Sequence, residues 1–334
     1  MYELLGISLV LATLLAINAF ASLLAGACWR LLERPARAFS ARTRAEILFL
    51  IRVSPPALAI IAVAAFLVPS FLTYEPYATT EVVSKKLALL AIVSAAGVTF
   101  ALWRGVRSWW ETHKLLRRWM AKAERIQLSS SNTPTFRIAH PFPIIAVVGT
   151  LRPRLFLAEH VLQTLSEEEL AAAIAHECGH LAARDNLKRS LLRACRDALM
   201  AVPCGRSLDR AWAETAECAA DEHAAQKSAG TALDLASALV KIAKMVPAGA
   251  HAAMPVATFL VGNEETQGVK TRVRRLLEIA STAERRRISS SRVSKILSLA
   301  SLSLLFVLGG LFASNSQVLI TVHSLIEHAV KLLS

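Results

Sequence analysis

Four stretches of this chain carry almost no charge over the length needed to cross a bilayer: residues 4–29, 53–72, 87–103 and 296–313. About twenty apolar residues in helical form span a hydrocarbon core, so each stretch reads as a membrane-crossing helix. The third and fourth are short enough to compare with a buried core helix, and their basic flanks favour insertion. A hydrophobic fraction of 54% and a net charge of +13 fit an integral membrane protein with basic margins. The first stretch carries Glu3 and no basic lead-in, and it is longer than a signal-peptide core, so it is expected to stay in the mature protein. Pro55, Pro56 and Pro69 lie near the ends of the second, where they are expected to bend or terminate it.

The basic residues fix an orientation. Arg30, Arg34, Arg37, Arg42, Arg44 and Arg52 lie between the first two stretches; Arg104, Arg107, Lys114, Arg117, Arg118, Lys122 and Arg125 follow the third; Arg285, Arg286, Arg287, Arg292 and Lys295 precede the fourth. Residues 73–86 hold only Lys85 and Lys86 against Glu75 and Glu81. The positive-inside rule then places both termini outside a bacterial-type cytoplasmic membrane and residues 104–292 in the cytoplasm. The expected organisation is three spans in 1–103, a cytoplasmic domain in 104–292, and a fourth span with a short external tail in 293–334. The juxtamembrane clusters suit anionic lipid headgroups. Direct nucleic-acid binding is not expected, because Trp109, Trp110 and Trp119 fit a membrane-interface belt better than a recognition module.

Within the cytoplasmic part, His176-Glu177-Cys178-Gly179-His180 lies in an alanine-rich stretch. Ser166-Glu167-Glu168-Glu169 before it has the form of a capping box, and Leu170, Ile174, Cys178 and Leu181 recur at helical spacing. Two histidines four apart share one helix face and can hold a single Zn²⁺, with Glu177 placed as general base. The bland alternative is a surface histidine pair. A catalytic zinc takes three protein ligands, and Glu217 and Asp221, again four apart, offer one carboxylate for the metal and one for an imidazole N–H. Read alone, that second segment would equally suit the exposed face of an amphipathic helix.

The pairing of H-E-x-x-H with a later E-x-x-x-D resembles the gluzincin peptidases. The segment from His140-Pro141-Phe142-Pro143 through 148–157, with Asp185 after His180, looks like the lead-in of their membrane-embedded members. The resemblance is nearest to BlaR/MecR-type sensor peptidases and next to the HtpX/CAAX-protease group, and it covers roughly residues 104–292. It implies a mainly α fold: multi-span membrane helices plus a zincin-like α+β metallopeptidase domain with a small sheet. It also implies one catalytic zinc on His176, His180 and Glu217, Glu177 as the base, and Asp221 orienting a histidine. Cys178 and Gly179 are ordinary filler in such motifs. The chain departs from BlaR/MecR-type proteins in having about twenty residues after the last span, which leaves no room for a penicillin-binding sensor.

Cys28, Cys178, Cys195, Cys204 and Cys218 are odd in number and show no C-x-x-C spacing, so neither a disulfide framework nor a thiolate zinc site is expected. A basic helix is expected to run on from the third span to residue 126. Short strands are expected at 136–139, 144–148 and 155–158, with an edge suited to an extended substrate, then helices near 167–182, 186–201, 208–227, 231–246 and 269–280. Arg272, Arg274 and Arg275 are expected to pack on the site or on lipid. His140, His223 and His251 are candidate oxyanion donors that spacing does not rank. The tail's apolar positions form one helix face, suited to a membrane surface or an external partner, or simply prolonging the fourth span. The expected function is a membrane zinc endopeptidase cutting a cytoplasmic or membrane-proximal protein, with a BlaI/MecI-like repressor as candidate substrate. HtpX-like quality control is the rival within the enzyme class and a non-catalytic zinc-bound scaffold the rival outside it.

Overall fold

The structure, a computed structural model, describes residues 2–77, 83–128, 133–149, 152–197, 204–226, 228–246, 266–282 and 315–333. The fourth apolar stretch and His251 lie outside the described residues. Three helical stretches are long and apolar enough to cross a membrane. The first is α1 (Tyr2–Ala36). The second runs without a break through α2 (Ala41–Ile61), a π-helical turn (Ala62–Leu67) and α3 (Val68–Tyr74), and the third is α4 (Lys85–Met120). Large apolar side chains such as Ile7, Phe20, Ile60, Ile92 and Leu102 point outward, as lipid-facing residues must.

The prolines do not end the second helix. Pro55 cannot donate to the Ile51 carbonyl, and the Ser54 hydroxyl donates to that oxygen instead (3.1 Å). The π-helical turn re-phases the hydrogen-bond ladder just before Pro69 withdraws a donor. The helix starts well ahead of the apolar stretch because Ser40 caps it, its hydroxyl accepting from the Thr43 amide. Arg42, Arg44 and Arg52 therefore ride on a membrane helix, and its basic half packs on the domain. Lys188 pairs with Glu46, the buried Arg52 with Asp209 (3.1 Å), and the Ala41 amide donates to Glu222 (3.1 Å).

α4 continues past its apolar part into the domain, where Trp119 meets Phe156 edge-on at 5.0 Å. It stops at Met120, short of the expected end, and Glu124–Ile126 becomes strand β1, tied to β2 by the Glu124–Arg137 pair. The strands β1, β2 (Thr135–Ile138), β3 (Ile145–Val148) and β4 (Arg154–Ala158) lie in the order β1-β2-β4-β3, with β2 and β4 parallel and the other pairs antiparallel. After an unanticipated short α5 (Glu159–Thr164) come α6 (Glu167–Ala183), α7 (Asp185–Asp197), α8 (Cys204–Ala225), α9 (Ala229–Met245) and α10 (Thr266–Thr282). α6 is the central element, packed on β3, α8 and α9 around a core that includes Val147, Phe156, Ile174, Leu235 and Leu239.

The tail helix α11 (Ser316–Leu333) turns Ile326 and Val330 onto Leu5, Leu9, Val63, Leu67 and Phe71, and Ser70 donates to the Leu319 carbonyl at 2.8 Å. Part of the stripe expected to meet a membrane or partner thus closes the chain's own bundle, at the end opposite the domain.

The capping box at α6 is complete: Ser166 Oγ accepts from the Glu169 amide, and Glu169 accepts from the Ser166 amide (2.9 Å). Glu169 also accepts from Ser237 (2.6 Å) and Lys241 (2.7 Å) on α9. Burial pushes its carboxyl up, but Lys241, Ser237 and the Ser166 amide outweigh burial and hold it below the ordinary carboxylate value. A depressed pKa stabilises the fold above the unfolded-state value and ceases to do so as pH falls through the folded-state value. Glu169→Gln should therefore lower stability by about 2 kcal/mol at pH 7. Unfolding midpoints in detergent should show the gap to wild type narrowing as pH falls below about 4.

Candidate metal centre

α6 carries His176 and His180 one turn apart, and both rings are buried. Their Nε2 atoms face each other at 3.2 Å, and each lies 3.6 Å from an oxygen of Glu217 on α8. The three residues offer ligand atoms all within 4.8 Å of one another. Sequence spacing brought the two histidines together; the tertiary packing of α6 on α8 brings Glu217.

Both rings are turned by carboxylates behind them. His176 Nδ1 lies 2.9 Å from Asp221 Oδ1, and His180 Nδ1 donates to Asp185 Oδ2 at 2.7 Å. With a proton on each Nδ1, both Nε2 atoms present lone pairs to the same point, beside a carboxylate. Two acceptors and an anion 3–4 Å apart suit a metal cation, and the Arg272 guanidinium already supplies a positive charge at their edge, 3.5 Å from His176 Nε2. Glu177 adds to this: both its carboxyl oxygens are buried without a hydrogen bond, the Val147 amide approaching without bonding geometry. Burial pushes its carboxyl up to about 8, a value that a neighbouring cation would lower. The residues present fit a Zn²⁺ ion, with His₂Glu ligation and a nearby acid/base carboxylate.

Arg272, on α10, completes the electrostatics. Its guanidinium grips Asp221 through two bonds (3.0 and 2.6 Å) and lies 3.2 Å from Glu217. Burial would raise the Glu217 carboxyl, but His180, His176 and Arg272 hold it at about 2. Arg272 and His176 keep Asp221 well below the usual range, against the effect of burial. Of the three arginines expected on the site or on lipid, Arg272 is at the centre and Arg275 pairs with Glu222 on α8.

Residues 146–267 match Peptidase family M48. The match supports a zinc metallopeptidase of the BlaR/HtpX-type group without selecting the BlaR-like member. No curated protein matches the chain. Both histidines, Glu177, Glu217, Asp185 and Asp221 all fall within the M48 segment.

Two parts of the M48 segment were not apparent from motif spacing. Arg184 adopts φ 56°, ψ 39°, a left-handed cap unusual for a side chain larger than glycine, and this tight turn between α6 and α7 lets Asp185 reach back to His180. Asn186 then donates to the Val147 and Gly149 carbonyls (3.0 and 3.3 Å). β3 and β1 are the two edges of the sheet; the four residues of β3 are buried, and its Val147 carbonyl accepts from Asn186, which ties the strand to the start of α7.

His140 accepts from the Phe142 amide and packs near Trp119, in the aromatic cluster of the sheet, with burial lowering its pKa. His223 packs its Cβ near Gly179. Burial raises the thiol pKa of Cys218, as expected for a small packed residue.

Gly179 is more than filler. A Cβ there would sit 3.0 Å from the Ala220 Cα and 3.2 Å from the His223 Cβ, so the absence of a side chain is what lets α8 approach α6 closely enough to present Glu217. Gly179→Val should weaken zinc binding roughly tenfold or more by chelator competition, whereas Cys178→Ala should leave it near wild type.

Proposed function

We propose that this chain is a membrane-embedded zinc endopeptidase whose catalytic domain faces the cytoplasm and cuts a cytoplasmic or membrane-proximal protein. The observation that carries the reading is the convergence of His176 Nε2, His180 Nε2 and the Glu217 carboxylate beside the buried, unpartnered carboxyl of Glu177. His176, His180 and Glu217 hold the zinc, Asp221 and Asp185 orient the two rings, and Glu177 is the base. When bound, zinc supplies Lewis acidity toward the scissile carbonyl and raises the nucleophilicity of water near neutral pH. Glu177 takes the proton from the attacking water and returns it to the leaving amine. Arg272 keeps Asp221 ionised and so keeps the His176 Nδ1–H in place.

The cytoplasmic placement is supported by where the basic residues sit. Arg42, Arg44 and Arg52 lie on the end of α2 that packs against α7 and α8, so the domain shares the arginine-rich side of the spans. Tyr2 and α11 lie at the other end of the bundle, which is the outer side in this reading. The finer reading is regulated proteolysis in the BlaR/MecR manner, with a soluble repressor of the BlaI/MecI kind as substrate and an external partner supplying the signal. HtpX-like quality control uses the same chemistry on a membrane-inserted substrate.

Purified full-length protein should hold about one zinc per chain and cleave itself or casein. Glu177→Gln should keep the metal and lose at least a hundredfold in rate, and Glu217→Ala should lose the metal. Equal zinc in all three with no cleavage by any would overturn the assignment of Glu217 and favour a scaffold. Cleavage of a co-expressed soluble repressor, rather than of a membrane-inserted reporter, separates signalling from quality control.

A further inference from the structure

A cavity of about 710 Å³ lies away from the Nε2 convergence, between the end of α1, the start of α2 and α8. Its lining includes Trp29, Arg30, Glu33, Arg37, Arg44 and Glu214. Arg37 is engaged by Glu33 at 3.3 Å. Arg30 and Arg44 meet no carboxylate among the described residues, and Arg44 Nε is buried without any hydrogen-bond partner. Two guanidiniums that line one cavity without a carboxylate partner, Arg44 with its Nε buried, suit an anion.

The setting narrows the anion. The lining also includes the apolar Gly26, Leu208 and Ala211, and its α1 residues begin at Gly26, where that helix leaves its apolar stretch. Arg30, Arg37 and Arg44 against Glu33 and Glu214 leave one net positive charge, which matches a monoanionic phosphodiester better than a dianion. A ligand with one negative charge, hydrogen-bond acceptors that fit arginine forks, and an apolar body continuous with the bilayer is an acidic phospholipid.

We propose that this cavity is a binding site for the headgroup of an acidic phospholipid, gripped by Arg30 and Arg44. The site stands whether or not the chain cleaves peptides. Occupancy would fasten the end of α1 to α8, the helix whose adjacent face carries Glu217 and Asp221.

The test uses full-length protein in neutral detergent, titrated with phosphatidylglycerol or phosphatidylcholine brominated in the upper acyl chain. Quenching of Trp29, isolated by difference from Trp29→Phe, reports occupancy. Lipid adducts retained in native mass spectra provide a second measure that does not depend on that variant. Phosphatidylglycerol should saturate the site at roughly tenfold lower concentration than phosphatidylcholine. Arg30→Gln with Arg44→Gln should remove most of that preference, and Arg118→Gln, on an exposed part of α4, should not. Equal binding of the two lipids, or an unchanged preference in the double variant, would overturn the site. Full displacement of phosphatidylglycerol by millimolar inorganic phosphate would show that a free anion, not a lipid, is the ligand.

Discussion

Two imidazoles on one helix face make a cation site only if both rings are turned the same way, and in this chain that turning is done by two buried carboxylates. Asp221 and Asp185 each sit against an imidazole Nδ1, one across the α6–α8 contact and one from the start of α7. Once both Nε2 lone pairs point inward, Glu217 and Glu177 are left near them with few other partners, and the neighbouring Arg272 keeps the excess negative charge tolerable in a buried setting.

Each orienting group depends on a backbone feature some distance from the chemistry. Asp221 reaches His176 because Gly179 lets α8 lie against α6. Asp185 reaches His180 because Arg184 accepts a left-handed conformation that reverses the chain within one residue. Asn186, next in line, ties the same turn to β3 and so fixes α6 to the sheet. The geometry at the candidate metal site is thus set by one close helix crossing and one tight turn, which together leave the imidazoles little freedom to rotate.

Much of this could be read from the sequence because it is written in short periods. The capping box, the i, i+4 spacing of His176 and His180, the apolar stretches and three of the four strands all depend on neighbours within a turn or a strand. What escaped depends on tertiary context. Glu124–Ile126 is strongly polar and joins the sheet only because β2 offers it a partner and Arg137 a counter-ion. Arg184 is not a residue that announces a left-handed cap. Arg272 was expected near the site or near lipid, and which of the two it chose depended on α10 packing over α8, far along the chain. Pro55 and Pro56 suggested a bend or an end, and local repair by Ser54, with a wider turn downstream, kept the helix from ending there.

α4 is a single 36-residue rod from Lys85, at the end of the bundle away from the domain, to Met120 in the domain core. At 1.5 Å per residue it is about 54 Å long. It has no break along its length, and Trp119 anchors its far end against Phe156 on the central strand β4. A helix of this kind transmits tilt without loss: a change of about 5° at one end shifts the other by roughly 5 Å. Bilayer thickness, which sets the tilt of spans this long, is therefore mechanically continuous with the sheet on which α6 rests.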